Sequence, residues 1–407
     1  MRDESPPRVA PTGADVESFT RVTQLLLHGV LPLDGRQPDR LRSACISLTL
    51  MVASFRWRAV ALAVQNGKRL RSAGSAFVVF LGLLHGQPVL AFGAPGHAFS
   101  AAVADRLLNP RAARQVARTL GMTLQVASTW ADCIKDVQPH RDGWRYVPDS
   151  RFHRACQAFE TVEGIAGMID FVSRNSTQCD LGGRNNACHK KYHFTDVAIQ
   201  RDHYDRRFIG TSDHDVVSAL QAAINVLHGR PAPAPFSIRN RREALLLLAH
   251  LVSDAHQPLH VGALYLDDRG QPLDPDAAGP PFDPKTATRG GNLIADGTSN
   301  LHAEWDAVAA VLQQRRIDRR VLAEARGIAA GAADPLQRPA AWASETLLVS
   351  RAAFDALVFR PEAAKPGQWS VQFADRAAYF HRKDAIQARQ LIRAGARLAQ
   401  LLNALWP

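Results

Sequence analysis

The chain has no apolar run as long as the roughly 18 residues a membrane span requires, and no internal repeat. Cysteine is scarce, five in 407 residues, too few for a disulfide-built scaffold at this length. Acidic residues are fewer than basic ones, 38 Asp and Glu against 49 Lys and Arg. The resulting charge of +11 excludes an acidic solvating protein and leaves polyanions open as partners. Few stretches alternate apolar and polar residues strictly, which argues against a sheet-built domain. What is there, 46% apolar and 21% charged residues, suits a globular protein with enough material for a large core.

Residues 1–63 differ from the rest. Pro6, Pro7, Pro11, Pro32 and Pro38 interrupt any helix and no period is sustained, so a disordered or non-native extension is expected. Residues 64–91 then carry a basic cluster, Lys68, Arg69 and Arg71, followed by the apolar stretch AFVVFLGLL at 76–84 and a small residue, Ala91. Basic, apolar, then small is the order of a secretory signal peptide. Cleavage after Ala91 would leave Phe92 as the first mature residue. The competing reading is a buried helix of a small N-terminal domain. A signal peptide starts a chain, so the expected start lies downstream of Met1, at Met51 or Val64, and the expected location is secreted or periplasmic.

The remainder reads as helices. Apolar residues recur three and four apart over 98–108, 111–119, 213–228, 240–255, 299–313, 315–330, 340–357 and 383–404, among Ala, Leu, Arg and Gln, all good helix formers. Residues 266–291 form a long loop rich in Gly, Pro and Asp, of a length usually tied to function or disorder. The expectation is a single all-α domain over 92–407.

Chemistry is carried by spaced His and Asp. His250 and Asp254 stand four apart in LLLLAHLVSDAHQPLH, on one face of an apolar helix. His260 follows just past Pro258. His302 and Asp306 in NLHAEWD form a second pair at the same spacing. Asp132, His193 and His97 complete the set. A lone His on an apolar face is usually a core residue, and the same set also admits pairwise salt bridges. A carboxylate crowded by Leu and Val, however, needs a cation or strong hydrogen bonds. Imidazole and carboxylate together suit zinc ahead of iron or manganese.

These residues resemble the S1/P1-type nucleases, zinc-dependent single-strand-specific enzymes that share a mainly helical fold with bacterial zinc phospholipases C. The matching pieces are FGAPGH at 92–97, WAD at 130–132, HFTD at 193–196, HLVSDAHQPLH at 250–260, GGN at 290–292, NLHAEWD at 300–306, WASET at 342–346 and AGARLAQLLN at 394–403. The resemblance implies three zinc ions. Asp132, His193, His250 and Asp254 would hold the first, and His260, His302 and Asp306 the second. The third would take the amine and carbonyl of Phe92, His97 and the other oxygen of Asp254. Paired zinc ions lower the pKa of a shared water, so no Ser or Cys nucleophile is needed. The family usually begins its mature chain with Trp where this chain has Phe92; the ligand atoms are main-chain, so the change is tolerable.

The catalytic set so implied is Asp132, Asp254, Lys135 and Asp196. Lys135, three residues after Asp132, would meet a phosphate. Phe194 offers a face for a base, and Asp196 and Asn292 would hydrogen-bond an exposed base edge. Gly290 and Gly291 permit close backbone approach. Lys135, Phe194, Asp196, Gly291 and Asn292 thus make up the expected substrate pocket. Expected partners are single-stranded DNA and RNA and 3′-nucleotides, with no stable protein partner and no membrane span.

His256 falls outside the ligand set, and His203, His214 and His381 are expected at the surface. Trp130 and Trp305 would pack around the site, and the sequon at Asn175 matters only in a glycosylating host. Four cysteines follow the export signal, and an even count favours disulfides. Cys179 with Cys188 is the preferred pair and Cys133 with Cys156 the remainder, a thiolate role at zinc being the other use of these sulfurs. The expected activity is a secreted phosphodiesterase releasing 5′-phosphorylated products, with 3′-nucleotidase action. The alternatives are a zinc phospholipase C and a non-catalytic metal-binding protein. Asp306 favours the nucleases, since the phospholipases favour Glu there.

Overall fold

In the computed structural model, residues 93–149, 153–179, 187–277, 282–309 and 316–407 are described, all within the unit Gln87–Pro407. The extension expected over 1–63, the signal peptide over 64–91 and Phe92 lie outside the described residues. The helices in chain order are α1 (Gly93–Asp105), α2 (Pro110–Leu120), α3 (Leu124–Ala127), α4 (Trp130–Cys133), α5 (His153–Cys156), α6 (Val162–Arg174), α7 (Val216–Leu227), α8 (Arg241–Asp254), α9 (Leu301–Asp306), α10 (Arg319–Arg326), α11 (Arg338–Ser350) and α12 (Arg376–Leu405). Short strands lie between them: β1 (Val137–His140), β2 (Gly143–Tyr146), β3 (Val197–Ala198), β4 (Gly262–Ala263), β5 (Tyr265–Leu266), β6 (Pro272–Leu273), β7 (Ile294–Asp296), β8 (Ser299–Asn300), β9 (Leu357–Pro361) and β10 (Trp369–Phe373).

The class is therefore mainly helical with small sheets, which corrects the all-α expectation. The largest sheet has four strands in the order β8-β7-β10-β9, with β10 parallel to β7 and antiparallel to β9. Its hairpin β9–β10 falls where the helical period was extended to residue 357. The helix ends earlier, at Ser350, and passes into the 3-10 turn Arg351–Ala353; Ala356 then takes a left-handed φ of 58°, which keeps the chain out of a right-handed helix before β9. The helix expected over 299–313 also stops at Asp306, where Ala307 turns extended, and residues 310–315 lie outside the described set. Helix α6 was not anticipated. Its sequence VEGIAGMIDFVSR contains two glycines, each costing about 1 kcal/mol of helix propensity against Ala, and tertiary burial of Met168, Phe171 and Val172 overrides them.

Helix α8 is the centre of the core. Every residue from Ala244 to Asp254 is buried, the condition that a helix apolar on all sides satisfies. Its start is fixed by Asn240, whose side chain accepts from the Glu243 N–H, while the Glu243 carboxylate accepts from the Arg239 N–H, a variant of the capping box. Helices α1, α7 and α12 pack on it. Where α12 passes α1, a Cβ on Gly395 would stand 2.3 Å from the Ser100 carbonyl oxygen, so only glycine permits that approach.

Both expected cysteine pairs form: the Cα atoms are 5.6 Å apart for Cys133 and Cys156 and 5.5 Å apart for Cys179 and Cys188, within disulfide range. Asn175 of the sequon is buried, its amide donating to the Phe171 and Ser237 carbonyls at 2.9 and 3.1 Å, so in the fold it is a packing residue. Among the described residues no helix is long and apolar enough to cross a membrane.

Gly395→Ala is expected to force α1 and α12 apart and lower stability by about 1–3 kcal/mol, read from the urea midpoint. An unchanged midpoint would show that the two helices can yield without cost.

Candidate metal centre and adjoining cavity

Eight of the spaced His and Asp side chains meet at one place. Helix α8 contributes His250 and Asp254 one turn apart, α9 contributes His302 and Asp306 in the same way, α1 brings His97 and α4 brings Asp132. Two 3-10 turns end on the other ligand-type residues, Cys188–His193 on His193 and Pro258–His260 on His260. Pro258 stops the helical path and so aims His260 back toward α8. All eight are buried except His302, which is half-buried. Phe92 lies outside the described residues.

The side chains form three groups, His97 with His250 and Asp254, Asp132 with His193 and His250, and His260 with His302 and Asp306, the donor atoms of each lying within 4.8 Å of one another. The Asp254 oxygens face different neighbours. Oδ2 lies 2.9 Å from His193 Nδ1 and 3.1 Å from His250 Nε2. Oδ1 lies 3.2 Å from His260 Nδ1 and 3.5 Å from His97 Nε2. Asp132 Oδ1 stands 3.7 Å from His250 Nε2 and accepts from Lys135 Nζ at 2.7 Å. Asp306 reaches His260 Nε2 at 3.4 Å and His302 Nε2 at 3.3 Å.

The far sides of the rings are held by the protein. His250 Nδ1 contacts the Ser128 carbonyl at 2.6 Å, His302 Nδ1 the Gly290 carbonyl at 2.8 Å, and His260 Nδ1 the His193 carbonyl at 3.0 Å. His97 Nδ1 meets the Ser253 hydroxyl. An imidazole that donates from Nδ1 to a carbonyl presents a bare lone pair at Nε2, the usual orientation of a metal ligand. His97 Nε2, His260 Nε2 and Asp254 Oδ1 are buried without a hydrogen-bond partner, orphaned polar atoms that a bound cation would satisfy.

The charge distribution asks for cations. Burial alone would raise the carboxyls, yet Lys135 and His250 hold Asp132 low, His250 and His260 hold Asp254 well below the usual range, and His302 with His260 lowers Asp306. Burial pushes His97 and His193 down to about 3 and lowers His302. In His260 burial is outweighed by Asp254 and Asp306, which lift it to about 10, and Asp254 and Asp132 likewise raise His250. The three carboxylates thus draw charge onto His250 and His260 as well as onto Lys135, and bound cations could take the place of the protons on those rings. Divalent ions fit this donor set, and nitrogen with oxygen ligands suits zinc.

Helix α9 has only six residues, and its C-terminal carbonyls are capped from α12. Lys383, itself buried, donates to the Glu304 and Ala307 carbonyls at 3.1 and 2.9 Å, and Gln387 donates to the Trp305 carbonyl at 2.5 Å. A cation at a helix C-terminus also complements the helix dipole. Neither residue was singled out by spacing.

A cavity of about 330 Å³ opens beside the three groups, lined in part by Lys135, Phe194, Asp196 and Asn292 with His193, His260 and His302. Four of the five expected substrate residues therefore border it. Gly291 does not: it is buried, its φ is 86°, and a Cβ there would press on the His302 amide nitrogen at 3.3 Å. Gly290 likewise approaches protein, since its Cβ would meet the Leu259 carbonyl oxygen at 2.2 Å. These glycines shape the turn that supports His302. Burial pushes the Asp196 carboxyl up to about 6 against the opposing pull of Lys191 and Arg289.

Lys190, Lys191 and Arg289 also line the cavity and escaped the sequence analysis, although the run Lys190-Lys191 two residues before His193 was a readable signal. His256 is buried away from the ligand groups, bonded to the Val252 carbonyl and to Arg397. His203 and His381 are exposed, whereas His214 is half-buried beside Asp213. Trp305 donates to the Tyr379 hydroxyl at 2.7 Å and Trp130 packs edge-on against Phe171.

The family model described as S1/P1 Nuclease matches residues 92–407. Among curated proteins none matches the chain.

Stripping metal with a chelator is expected to lower the thermal midpoint, since binding to the folded state alone adds to stability; an unmoved midpoint would contradict metal in the core. Lys383→Met is expected to weaken zinc retention by roughly 10–100-fold, followed by competition with a chromophoric chelator. Retention equal to that of the unmodified protein would uncouple the α9 terminus from the site.

Proposed function

The chain belongs to the S1/P1 nuclease family, and from that premise we propose that it is a secreted endonuclease that hydrolyses single-stranded DNA and RNA to 5′-phosphorylated products and also acts on 3′-nucleotides. Membership makes it a phosphodiester hydrolase of a zinc-dependent family; the finer reading rests on its own residues. The observation that carries it is the juxtaposition of three His/Asp groups with a cavity edged by Phe194, Asp196, Asn292 and Lys135.

Asp132, His193, His250 and Asp254 would hold one zinc ion, His260, His302 and Asp306 a second, and His97, the remaining oxygen of Asp254 and the main chain of Phe92 a third. Bound zinc supplies an activated water and offsets charge at the phosphoryl group. Lys135 spends one donor on Asp132 and keeps two for a phosphate oxygen. Phe194, half-buried at the cavity, gives a base a stacking face that is indifferent to sequence. The Asn292 amide N–H donates to the Arg289 carbonyl at 2.9 Å, which leaves its oxygen to accept from a base edge. Only unpaired bases present that edge while stacked on a side chain, hence the preference for single strands. Four cations edge the cavity, Lys135, Lys190, Lys191 and Arg289, which suits a polyanion better than the acyl chains of a phospholipid.

The Phe92 amine exists only after cleavage at Ala91, so export and completion of the third site are coupled in this reading. A precursor blocked at Ala91 that keeps full zinc content and activity would refute that coupling.

The reading is tested with zinc-loaded 92–407 against single-stranded DNA, RNA, 3′-nucleotides and phosphatidylcholine. Cleavage of the nucleic acids and nucleotides is expected, and turnover of the lipid alone would overturn it. Asp254→Asn should abolish every activity. Phe194→Ala should raise KM for oligonucleotides by roughly 5–150-fold, the equivalent of the roughly 1–3 kcal/mol per stacked base.

A further inference from the structure

The cavity has a cationic rim that the three metal groups do not use. Lys190 and Lys191 sit side by side in the 3-10 turn that delivers His193, and Arg289 stands in the turn that supports His302. All three line the cavity with Lys135. Among the described residues none of the three has a salt-bridge partner, whereas Lys135 is paired with Asp132.

Each is displayed by a fixed backbone. Arg289 is exposed and holds a φ of 53°, a conformation that costs a residue with a side chain on the order of 1 kcal/mol. The turn is pinned by the buried Thr288, which donates to the Leu264 carbonyl at 2.6 Å, and by the Asn292 amide on the Arg289 carbonyl. The Lys191 ammonium lies 5.1 Å from the centre of the Phe194 ring, next to the face offered to a base. Lys190 is half-buried, and burial together with the charge of Lys135 lowers its ammonium against the opposing pull of Asp136. The carboxyl facing Lys191 and Arg289 is Asp196, pushed up to about 6 by burial, a weak counter-ion for the two.

We propose that Lys190, Lys191 and Arg289 form a phosphate-holding rim that binds the internucleotide phosphates flanking the one at the metal groups. The ligand class is a single-stranded polyanion with several phosphates in register, and the rim makes the site favour an oligonucleotide over a mononucleotide. The inference rests on the nuclease reading above and adds to it the part of the substrate that lies beyond the reacting phosphate.

The experiment combines binding with kinetics on the zinc-loaded chain. Binding of a fluorescent phosphorodithioate oligothymidylate, checked to stay intact, is followed by anisotropy over a salt series. Each lost phosphate contact flattens the slope of log K against log salt by about 0.7 on single strands. Lys191→Ala and Arg289→Ala should therefore each flatten it by about 0.7 and the triple alanine variant by about 2. Lys191→Arg should restore the slope, because the charge is what acts. In turnover, the triple variant should lose roughly 10-fold or more in kcat/KM on oligonucleotides, as expected for charged hydrogen bonds, with 3′-nucleotide hydrolysis unchanged. An unaltered salt slope, or an equal loss on both substrates, would overturn the rim. Absence of all hydrolysis by the unmodified protein would instead overturn the nuclease reading, and the binding series would still decide the rim.

Discussion

Three carboxylates buried in a core among imidazoles and one lysine set the terms for the rest of the molecule. Asp132, Asp254 and Asp306 are kept ionised by surrounding imidazoles and Lys135, although burial opposes each. Such an arrangement is unstable by itself, because desolvated charge is not recovered by weak partners. Divalent ions would make it favourable by satisfying the orphaned atoms of His97, His260 and Asp254 and by replacing the protons on the charged rings. The ions and the fold are then interdependent, since the ligand-type residues come from α1, α4, α8, α9 and two 3-10 turns that are far apart in sequence.

Asp254 is the hinge of this arrangement because of where it sits. It ends the most deeply buried helix, and both of its oxygens are committed, one toward His193 and His250, the other toward His260 and His97. The leucines before it do two things at once. They fill the core, and they fix the last turn of α8 so firmly that the carboxylate cannot rotate away to water. The shorter helix α9 has no such support of its own. Its position depends on Lys383 and Gln387 reaching from α12 to its open carbonyls, which links the longest helix to the second His/Asp pair.

How much of this was legible depended on whether a local pattern carried the information. The pairs His250/Asp254 and His302/Asp306 repeat at helical spacing, so their shared faces followed from the period alone. Pro258 gave the turn before His260, and the closely spaced Cys179 and Cys188 gave a pair. The hairpin β9–β10 was hidden because an apolar helical period runs up to Leu357, although the helix gives way to a 3-10 turn after Ser350 and Ala356 turns left-handed. Helix α6 was hidden by its glycines. Lys383 has the look of a surface residue in sequence, and nothing local reveals that its ammonium ends on carbonyls some 76 to 79 residues away. Gly291 was read as making room for a ligand, whereas the group it makes room for is His302.

The excess of positive charge gains meaning from its placement. Spread evenly, a charge of +11 would give only weak, salt-screened attraction for any polyanion. Here four cations edge one cavity, and the three His/Asp groups lie beside it. In the proposed reading a phosphate would meet attraction first at Lys190, Lys191 and Arg289, and would reach the buried carboxylates favourably only with cations held there. Metal in the core would then also be a condition for the polyanion to enter, and one charge balance would govern both binding and reactivity.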